Sequence, residues 1–294
     1  MINYAKDFFE RLNFEKEDAE FLVNQLSLIL NSAASDKWNS LVSDYENGID
    51  KPFSAVLKEA RECGDVAGVH NYTADLLIAV CMSRGAKKRF AEKGFGEEIF
   101  INSFLDLKYK LEECKLVKGI KGSFVAGWFG GWFNLSLLAL GRLQFEKINF
   151  PYNYEKNGKT LKKGDKVISV HIPRTGTPFT PEECDKAFKM AAEIYSKEID
   201  GDVVFFCGSW LMYPPLIEEL DDRSNTKKFA KRFELIEVRD NAVGDHPDAW
   251  RLFDCDYNGD INSLDTSTGL RAAFVRMLKK KNVSGDGVGI FFYE

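Results

Sequence analysis

The sequence predicts an α+β protein, with an all-helical domain over residues 1–120 followed by a mixed α/β domain over residues 121–294. Up to about residue 115 the apolar residues recur at helical spacing, without strand-like alternation. From residue 142 onward, short alternating or β-rich runs are separated by helical segments, as in a sheet with crossover helices. Glycines and lysines interrupt both patterns at residues 115–128 and mark a boundary.

The helical half is predicted from its amphipathic runs. Phe8, Phe9 and Leu12 begin the pattern, and the next run has its acidic residues early, as a helix start prefers. The runs that follow are KEDAEFLVNQLSLILNS, VHNYTADLLIAVCMSRGAKKRFAEKGF and EEIFINSFLDLKYKLEE.

The second half carries alternating strand and helix signals. We predict strands in RLQFEKINF, DKVISVHIP, DVVFFCGSWLM, ELIEVRD and GVGIFFYE, and helices in PEECDKAFKMAAEIYSKEI, LIEEL, TKKFAKRF and TGLRAAFVRMLKKK. Asn157-Gly158 predicts a hairpin turn before the second of these strands. The glycines of SGDGVG, residues 284–289, are interpreted as a turn, because they precede a strand whereas a nucleotide-binding loop precedes a helix.

Composition limits the class of function. The chain has 294 residues, of which 45% are hydrophobic and 29% charged, which is typical of a globular protein with real cores. A net charge of -5 argues against a nucleic-acid partner. With no run of 18 apolar residues and no signal-like start, we expect a cytoplasmic protein without a membrane partner. Six scattered cysteines predict neither a disulfide framework nor a zinc site.

A calcium-like loop, DCDYNGDINSLD, occupies residues 254–265. Its oxygen ligands and its glycine fall at the spacing of an EF-hand loop. The preceding segment contains Gly244 and Pro247 and predicts a loop leading into a short strand, whereas an EF-hand needs an entering helix. We therefore interpret the stretch as an acidic turn between an edge strand and a helix, and expect no metal. A calcium-regulated interaction protein is the alternative.

The junction HIPRTGTPFTPEECDKAF carries the strongest indication of a site. A strand ends at Ile172, a loop with Arg174 and Gly176 follows, and a helix begins with Thr180 as its cap and Pro181 in its first turn. A short loop that leads into a helix start presents backbone N–H groups to an anion such as a pyrophosphate. An ordinary strand-to-helix turn, which also needs a cap, is the alternative.

Several segments together resemble a family of bacterial acyltransferase-domain proteins. They are LGRLQFE, VHIPRTGTPFTPEECDKAF, CGSWLMYPPLIEEL and DTSTGLRAAFVRML, in that order along the chain. In that family a helical N-acyltransferase amino-terminal domain precedes a GNAT-like carboxyl-terminal domain. The resemblance implies a GNAT-like fold over residues 121–294, with acyl-coenzyme A (acetyl-CoA or another acyl-CoA) in a cleft between splayed central strands.

The resemblance also implies which residues bind the cofactor. The pyrophosphate is expected at the loop from Arg174 to Thr180, including Thr175, Gly176 and Thr177. This loop departs from the glycine-rich pattern of ordinary GNAT enzymes, and Pro178 lacks an N–H group. The departure predicts weaker or altered cofactor binding.

Acyl transfer to an amine needs a base for the amine and an acid for the departing thiolate. Glu146 is the candidate base, His171 is a second candidate for that role, and Tyr213 is the candidate acid that the resemblance implies. The alternatives are a surface carboxylate for Glu146 and a packed core residue for His171. An acyl-enzyme formed on Cys207 is a further alternative, although a cysteine after an apolar run is more often buried.

We therefore predict a CoA-dependent N-acyltransferase that moves an acetyl or acyl group to an unidentified amine, either a small amine or a peptide. A non-catalytic binding module with a degenerate GNAT fold is the alternative, because the phosphate loop is poor in glycine.

Overall fold

A computed structural model of the chain describes residues 1–156, 158–199 and 201–293. Internal packing divides the chain into two units, Met1–Leu138 and Ala139–Glu294. The predicted fold class is confirmed, since a helical part is followed by a mixed α/β part.

Up to residue 136, the amino-terminal unit is built from helices and their connecting loops. Helix α5 is buried on nearly all sides, as expected for a central helix. The helices are α1 (Ile2–Arg11), α2 (Lys16–Leu30), α3 (Ser35–Glu46), α4 (Phe53–Ala67), α5 (Asn71–Glu92), α6 (Glu97–Lys118) and α7 (Gly130–Phe133), with a 3-10 turn at Ala126–Phe129.

Aromatic side chains fill much of the core of this unit. The ring of Phe104 lies 5.6 Å from those of Trp132 and Phe133, and Trp132 stacks on Phe129 at 5.2 Å. The Tyr45 hydroxyl donates to the Phe133 carbonyl oxygen at 2.9 Å. The short α7 region is therefore held by contacts to helices that come much earlier in the chain.

Six strands of the described chain form a mixed sheet in the order β1-β2-β5-β6-β8-β7. They are β1 (Leu137–Leu140), β2 (Leu143–Asn149), β5 (Lys166–His171), β6 (Val204–Ser209), β7 (Glu234–Asp240) and β8 (Gly285–Phe292). Strands β5 and β6 are parallel, whereas the pairs β2/β5, β6/β8 and β7/β8 are antiparallel. The remaining elements are the hairpin β3 (Tyr154–Lys156) and β4 (Lys159–Leu161), and the helices α8 (Pro181–Tyr195), α9 (Pro214–Glu219), α10 (Asn225–Ala230), α11 (Ala249–Phe253) and α12 (Gly269–Lys281).

Aromatic contacts show which element covers each face of the sheet. Phe205 of β6 lies 4.8 Å from Phe188 of α8, so helix α8 covers one face. The next residue, Phe206, lies 6.1 Å from Phe150, beside the β3/β4 hairpin. Consecutive strand residues point to opposite faces, so the hairpin covers the face opposite α8.

The predicted hairpin is present, since β3 and β4 pair antiparallel. Of its predicted turn residues, Gly158 has φ +77°, which glycine adopts without strain, and Asn157 lies outside the described residues.

Two local predictions were wrong. The glycines of residues 284–289 do not form a turn, since strand β8 begins at Gly285 and also contains Gly287 and Gly289, which belong to the predicted strand GVGIFFYE. They permit close packing, since a Cβ on Gly285 would lie 2.1 Å from the Arg239 carbonyl oxygen and one on Gly287 would lie 2.0 Å from that of Met212. The segment before Asp254 ends in helix α11, where a strand was predicted.

Candidate functional site

The carboxyl ends of β5 and β6 form the centre of the candidate site. Parallel pairing joins Ile168 to Phe205 and Ser169 to Phe206. Both strands extend past these pairs, β5 to His171 and β6 to Ser209. Ligands of open α/β sheets bind outside the carboxyl ends of neighbouring parallel strands. The cleft that the resemblance implies is therefore expected at the end of this β5/β6 pairing.

Residues 172–180 connect β5 to helix α8, and Arg142 holds this loop. Arg142 is buried, donates from Nη1 to the Pro173 carbonyl oxygen at 2.8 Å, and has its guanidinium carbon 5.0 Å from the Phe179 ring centroid. It therefore contacts the loop at both ends. Sequence reasoning missed Arg142, although a charged residue between the apolar runs LLAL and LQF was a visible signal.

The predicted phosphate loop has an internal hydrogen-bonded turn. The Thr175 hydroxyl accepts from the Thr177 N–H at 3.2 Å and donates to the Thr177 carbonyl oxygen at 3.3 Å. Thr180 caps α8 as predicted, with its hydroxyl accepting from the Glu183 N–H at 3.3 Å, and Pro181 occupies the first turn. Arg174 and Gly176 are exposed to solvent. The loop is therefore ordered and accessible, with the Thr177 N–H already engaged.

The guanidinium of Arg174 is bonded to Asp254, a residue 80 positions later in the chain. Asp254 also accepts from Nη2 of Arg271 at 2.9 Å. Arg271 is fixed further by Asp265 and by the Leu252 carbonyl oxygen, the latter at 2.8 Å from Nε. One carboxylate thus lies between two arginines, at the edge of the predicted phosphate loop.

These contacts give the calcium-like stretch another role. Asp254 and Asp265, which would be its first and last ligands, both accept from Arg271. Hydrogen bonds from the Ser267 hydroxyl and from the Ser267 N–H, together with Arg271, hold the pKa of Asp265 below its usual range. Within the described ranges, no group of three or more His, Cys, Asp or Glu side chains could hold a metal ion.

Glu146 and His171 are brought together by the β2/β5 register. Gln144 lies opposite His171, and Glu146 lies opposite Ser169. Because alternate residues of a strand share a face, these four residues form one polar patch on the hairpin side of the sheet. The Glu146 Oε2 and His171 Nε2 atoms are 3.6 Å apart, and about a third of each side chain is exposed. Sequence reasoning missed Gln144 and Ser169, whose faces depend on the register.

Tyr213 lies in a different environment from this pair. It is 3% exposed, packs in a cluster with Leu216 and Phe274, and donates from its hydroxyl to Asp240 at 2.6 Å. Burial, with the Asp240 carboxylate as a further cause, raises its pKa well above the usual range. Its hydroxyl is therefore protonated and engaged by Asp240.

The candidate nucleophile Cys207 is fully buried in β6. Burial raises the pKa of its thiol to about 12. A neutral, inaccessible thiol is a weak nucleophile, so this environment is unfavourable for a covalent intermediate.

Comparison with protein families agrees with this architecture. Residues 137–291, just over half of the chain, match the GNAT-like C-terminal domain, and residues 3–135 match the N-acyltransferase N-terminal domain. The chain belongs to the GNAT-like C-terminal domain family. The resemblance predicted from sequence is thereby confirmed at the level of both domain types. A comparison of the sequence with curated proteins found no match.

Solved structures show the same fold. An acyltransferase in complex with decanoyl-CoA and teicoplanin is 19% identical, with a TM-score of 0.73, and the match covers 99% of this chain and 88% of that one. An acyltransferase in complex with decanoyl-CoA is 17% identical, with a TM-score of 0.74 and the same coverage. At such identity the likeness shows the fold alone. No helix in the described part of this GNAT-like chain has the length and apolar character needed to cross a membrane.

Proposed function

We propose that the protein is a CoA-dependent N-acyltransferase that moves an acyl group from acyl-CoA to an amine. The observation that carries the proposal is that β5 and β6 pair in parallel only as far as Ser169 and Phe206 and both strands continue beyond this pair, with the loop to the capped start of α8 following β5 directly. Membership of the family supports it, as do the solved neighbours, which are acyltransferases crystallised with acyl-CoA or CoA.

Arg174 is the principal residue proposed for the phosphates of the donor. A guanidinium forms paired, charge-assisted hydrogen bonds to phosphate oxygens, and its side chain is exposed at the loop. Thr175, Gly176, Thr177 and Thr180 are proposed to contribute through their backbone and hydroxyl groups. Because the Thr177 N–H is engaged by Thr175, we expect a larger share of the binding from Arg174 than from the loop backbone.

Glu146 and His171 are proposed to remove the proton from the amine. Their 3.6 Å separation is slightly longer than a hydrogen bond, so a small movement of either side chain would join them. The neutral amine attacks the thioester carbon, its nitrogen loses a proton to this pair as the C–N bond forms, and the C–S bond breaks with CoA leaving as the thiolate. The role of Tyr213 as the acid that protonates this thiolate stays a prediction. In that role its hydroxyl would leave Asp240 and donate its proton to the CoA sulfur.

The acceptor is proposed to be a small amine or a peptide amine. A carboxylate beside an imidazole, on a partly exposed polar patch, attracts a protonated amine and can then accept its proton. A neighbouring acyltransferase has been crystallised with teicoplanin, which supports an acceptor larger than a simple amine.

Titration calorimetry and turnover assays together test this proposal. We expect acetyl-CoA or decanoyl-CoA to bind the full chain and to raise its melting temperature by mass action. Arg174→Gln should weaken binding by about tenfold, because a hydrogen bond to a charged group contributes about 1.5–3 kcal/mol and some of it is offset by release from Asp254. The matched control is Arg223→Gln, which removes an exposed arginine paired with Asp221.

Absence of binding by both donors would overturn the proposal. The alternative, a binding module with a degenerate GNAT fold, is favoured by one observation, namely that Arg174 is tied to Asp254. A folded chain that binds neither donor and releases no CoA thiol across a panel of amines and peptides would support that alternative.

A further inference from the structure

A long connection joins the neighbouring strands β7 and β8 and contacts the predicted phosphate loop. Residues 241–284 contain α11, the acidic stretch from Asp254 to Asp265, and α12. We call this segment the insert. Its contact with the predicted donor site is the ion pair between Arg174 and Asp254.

Asp254 is held from the insert side. Its backbone is left-handed, with φ +57°, at the end of α11, and its N–H donates to the Trp250 carbonyl oxygen at 3.0 Å. Its second carboxylate oxygen accepts from Arg271, whose side chain is only 21% exposed. Arg174 is 39% exposed and lies on a loop. If the ion pair opens, Arg174 is therefore the partner that moves.

We infer that Asp254 sets the affinity for phosphate-bearing acyl donors by competing with their phosphates for Arg174. This inference rests on the proposed acyl-CoA function. A phosphate that approaches Arg174 meets the negative charge of Asp254, so the two anions cannot share the guanidinium without repulsion. Arg174 therefore exchanges the carboxylate for the phosphate.

Arg271 lowers the free-energy cost of this exchange. When Arg174 turns to a phosphate, Asp254 keeps its hydrogen bond to Arg271 and is not left as an uncompensated charge. The arrangement also selects among donors, since only a thioester that carries phosphates gains by displacing Asp254. A phosphate-free acyl-pantetheine thioester does not compete for Arg174.

The test compares Asp254→Asn with the wild-type chain. Asparagine tolerates the left-handed backbone and can still accept from Arg271, so the substitution removes the charge while keeping the local structure. The matched control is Asp260→Asn in the same stretch. The Asp260 side chain accepts from the Asn262 N–H at 2.9 Å, which an asparagine oxygen can also do.

We expect Asp254→Asn to tighten acyl-CoA binding about two- to fivefold at low salt, in line with the strength of exposed ion pairs. The gain should shrink as salt rises. Asp260→Asn should show a smaller gain, and neither variant should change binding of the acyl-pantetheine. Equal or weaker acyl-CoA binding by Asp254→Asn, with normal binding by the wild type, overturns the inference and leaves the proposed function intact. A wild-type chain that binds no acyl-CoA overturns both.

Discussion

At the scale of single residues, two arginines of the predicted donor site differ in what they can do. Arg142 is buried, and its contacts with Pro173 and Phe179 hold the loop in place. Arg174 is exposed and is paired with Asp254, whose carboxylate also binds Arg271. The first therefore positions the loop, whereas the second can change its partner.

The Glu146 and His171 pair leads to a kinetic prediction. Glu146→Gln and His171→Gln should each lower kcat about a hundredfold, with a smaller effect on KM, because general base catalysis contributes that order of rate enhancement. If the two side chains act as one unit, the double variant should lose little more than either single variant. Thiol release with an amine acceptor measures both constants.

A matched control for this prediction is Glu155→Gln, which neutralises an exposed glutamate of the β3/β4 hairpin. It should retain wild-type kcat. Full activity in either Glu146→Gln or His171→Gln would remove that residue from the mechanism.

At the scale of elements, the glycines of β8 allow the strand to pack against a neighbouring backbone. Gly287 lies opposite Ser209 and Val238, and the Met212 carbonyl oxygen occupies the position of its missing side chain. Gly208 on β6 has only Val288 Cγ2 nearby, at 3.8 Å from an added Cβ. The same residue type therefore has two different structural roles in adjacent strands.

This difference predicts that the same substitution, Gly→Ala, changes stability by very different amounts at the two positions. Gly287→Ala should destabilise the protein by about 3 kcal/mol or more, because the new Cβ overlaps a backbone oxygen that cannot move independently. Gly208→Ala should change stability by less than about 1 kcal/mol, since it meets ordinary contact distances. Urea unfolding gives both values, and similar midpoints for the two variants would contradict the packing described for β8.

At the scale of the whole molecule, both units contain fully buried ionisable groups. Cys81 in the first unit and Cys207 in the second have thiol pKa values raised by burial from 9.0 to about 12. Burial also raises the pKa of Tyr45 and Tyr195 above the usual range. These groups stay neutral in the folded chain at a pH where they ionise in the unfolded chain.

The protein should therefore lose stability at alkaline pH. The contribution of each thiol is fully present below pH 9, because both states are then protonated, and is lost as the pH rises from 9 toward 12. Each group that ionises only on unfolding lowers the free energy of unfolding by about 1.4 kcal/mol per pH unit. Urea unfolding in reducing buffer from pH 7 to pH 11 measures the slope.

Cysteine variants provide the control for this pH dependence. Cys207→Ala should reduce the slope above pH 9, whereas Cys255→Ala should leave it unchanged because Cys255 is exposed. Constant stability between pH 8 and pH 11 would contradict the prediction.

Local sequence patterns predicted most of the elements and one part of the candidate site. Strand β7 matches the run ELIEVRD, and the Thr180 cap of α8 has the predicted acceptor role. Such features depend on residues within a few positions of one another, so periodicity and capping rules are sufficient. The order of strand, loop and helix at residues 166–195 follows from the same rules.

The sequence by itself therefore determined the fold class and the location of the candidate donor loop. Only the tertiary structure decided that Glu146 lies beside His171, that Arg174 pairs with Asp254, and that Gly287 packs against the Met212 backbone. The physical reason is separation along the chain. Strand register and the packing of the insert bring together side chains that no local pattern relates, across 80 positions in the case of Arg174 and Asp254.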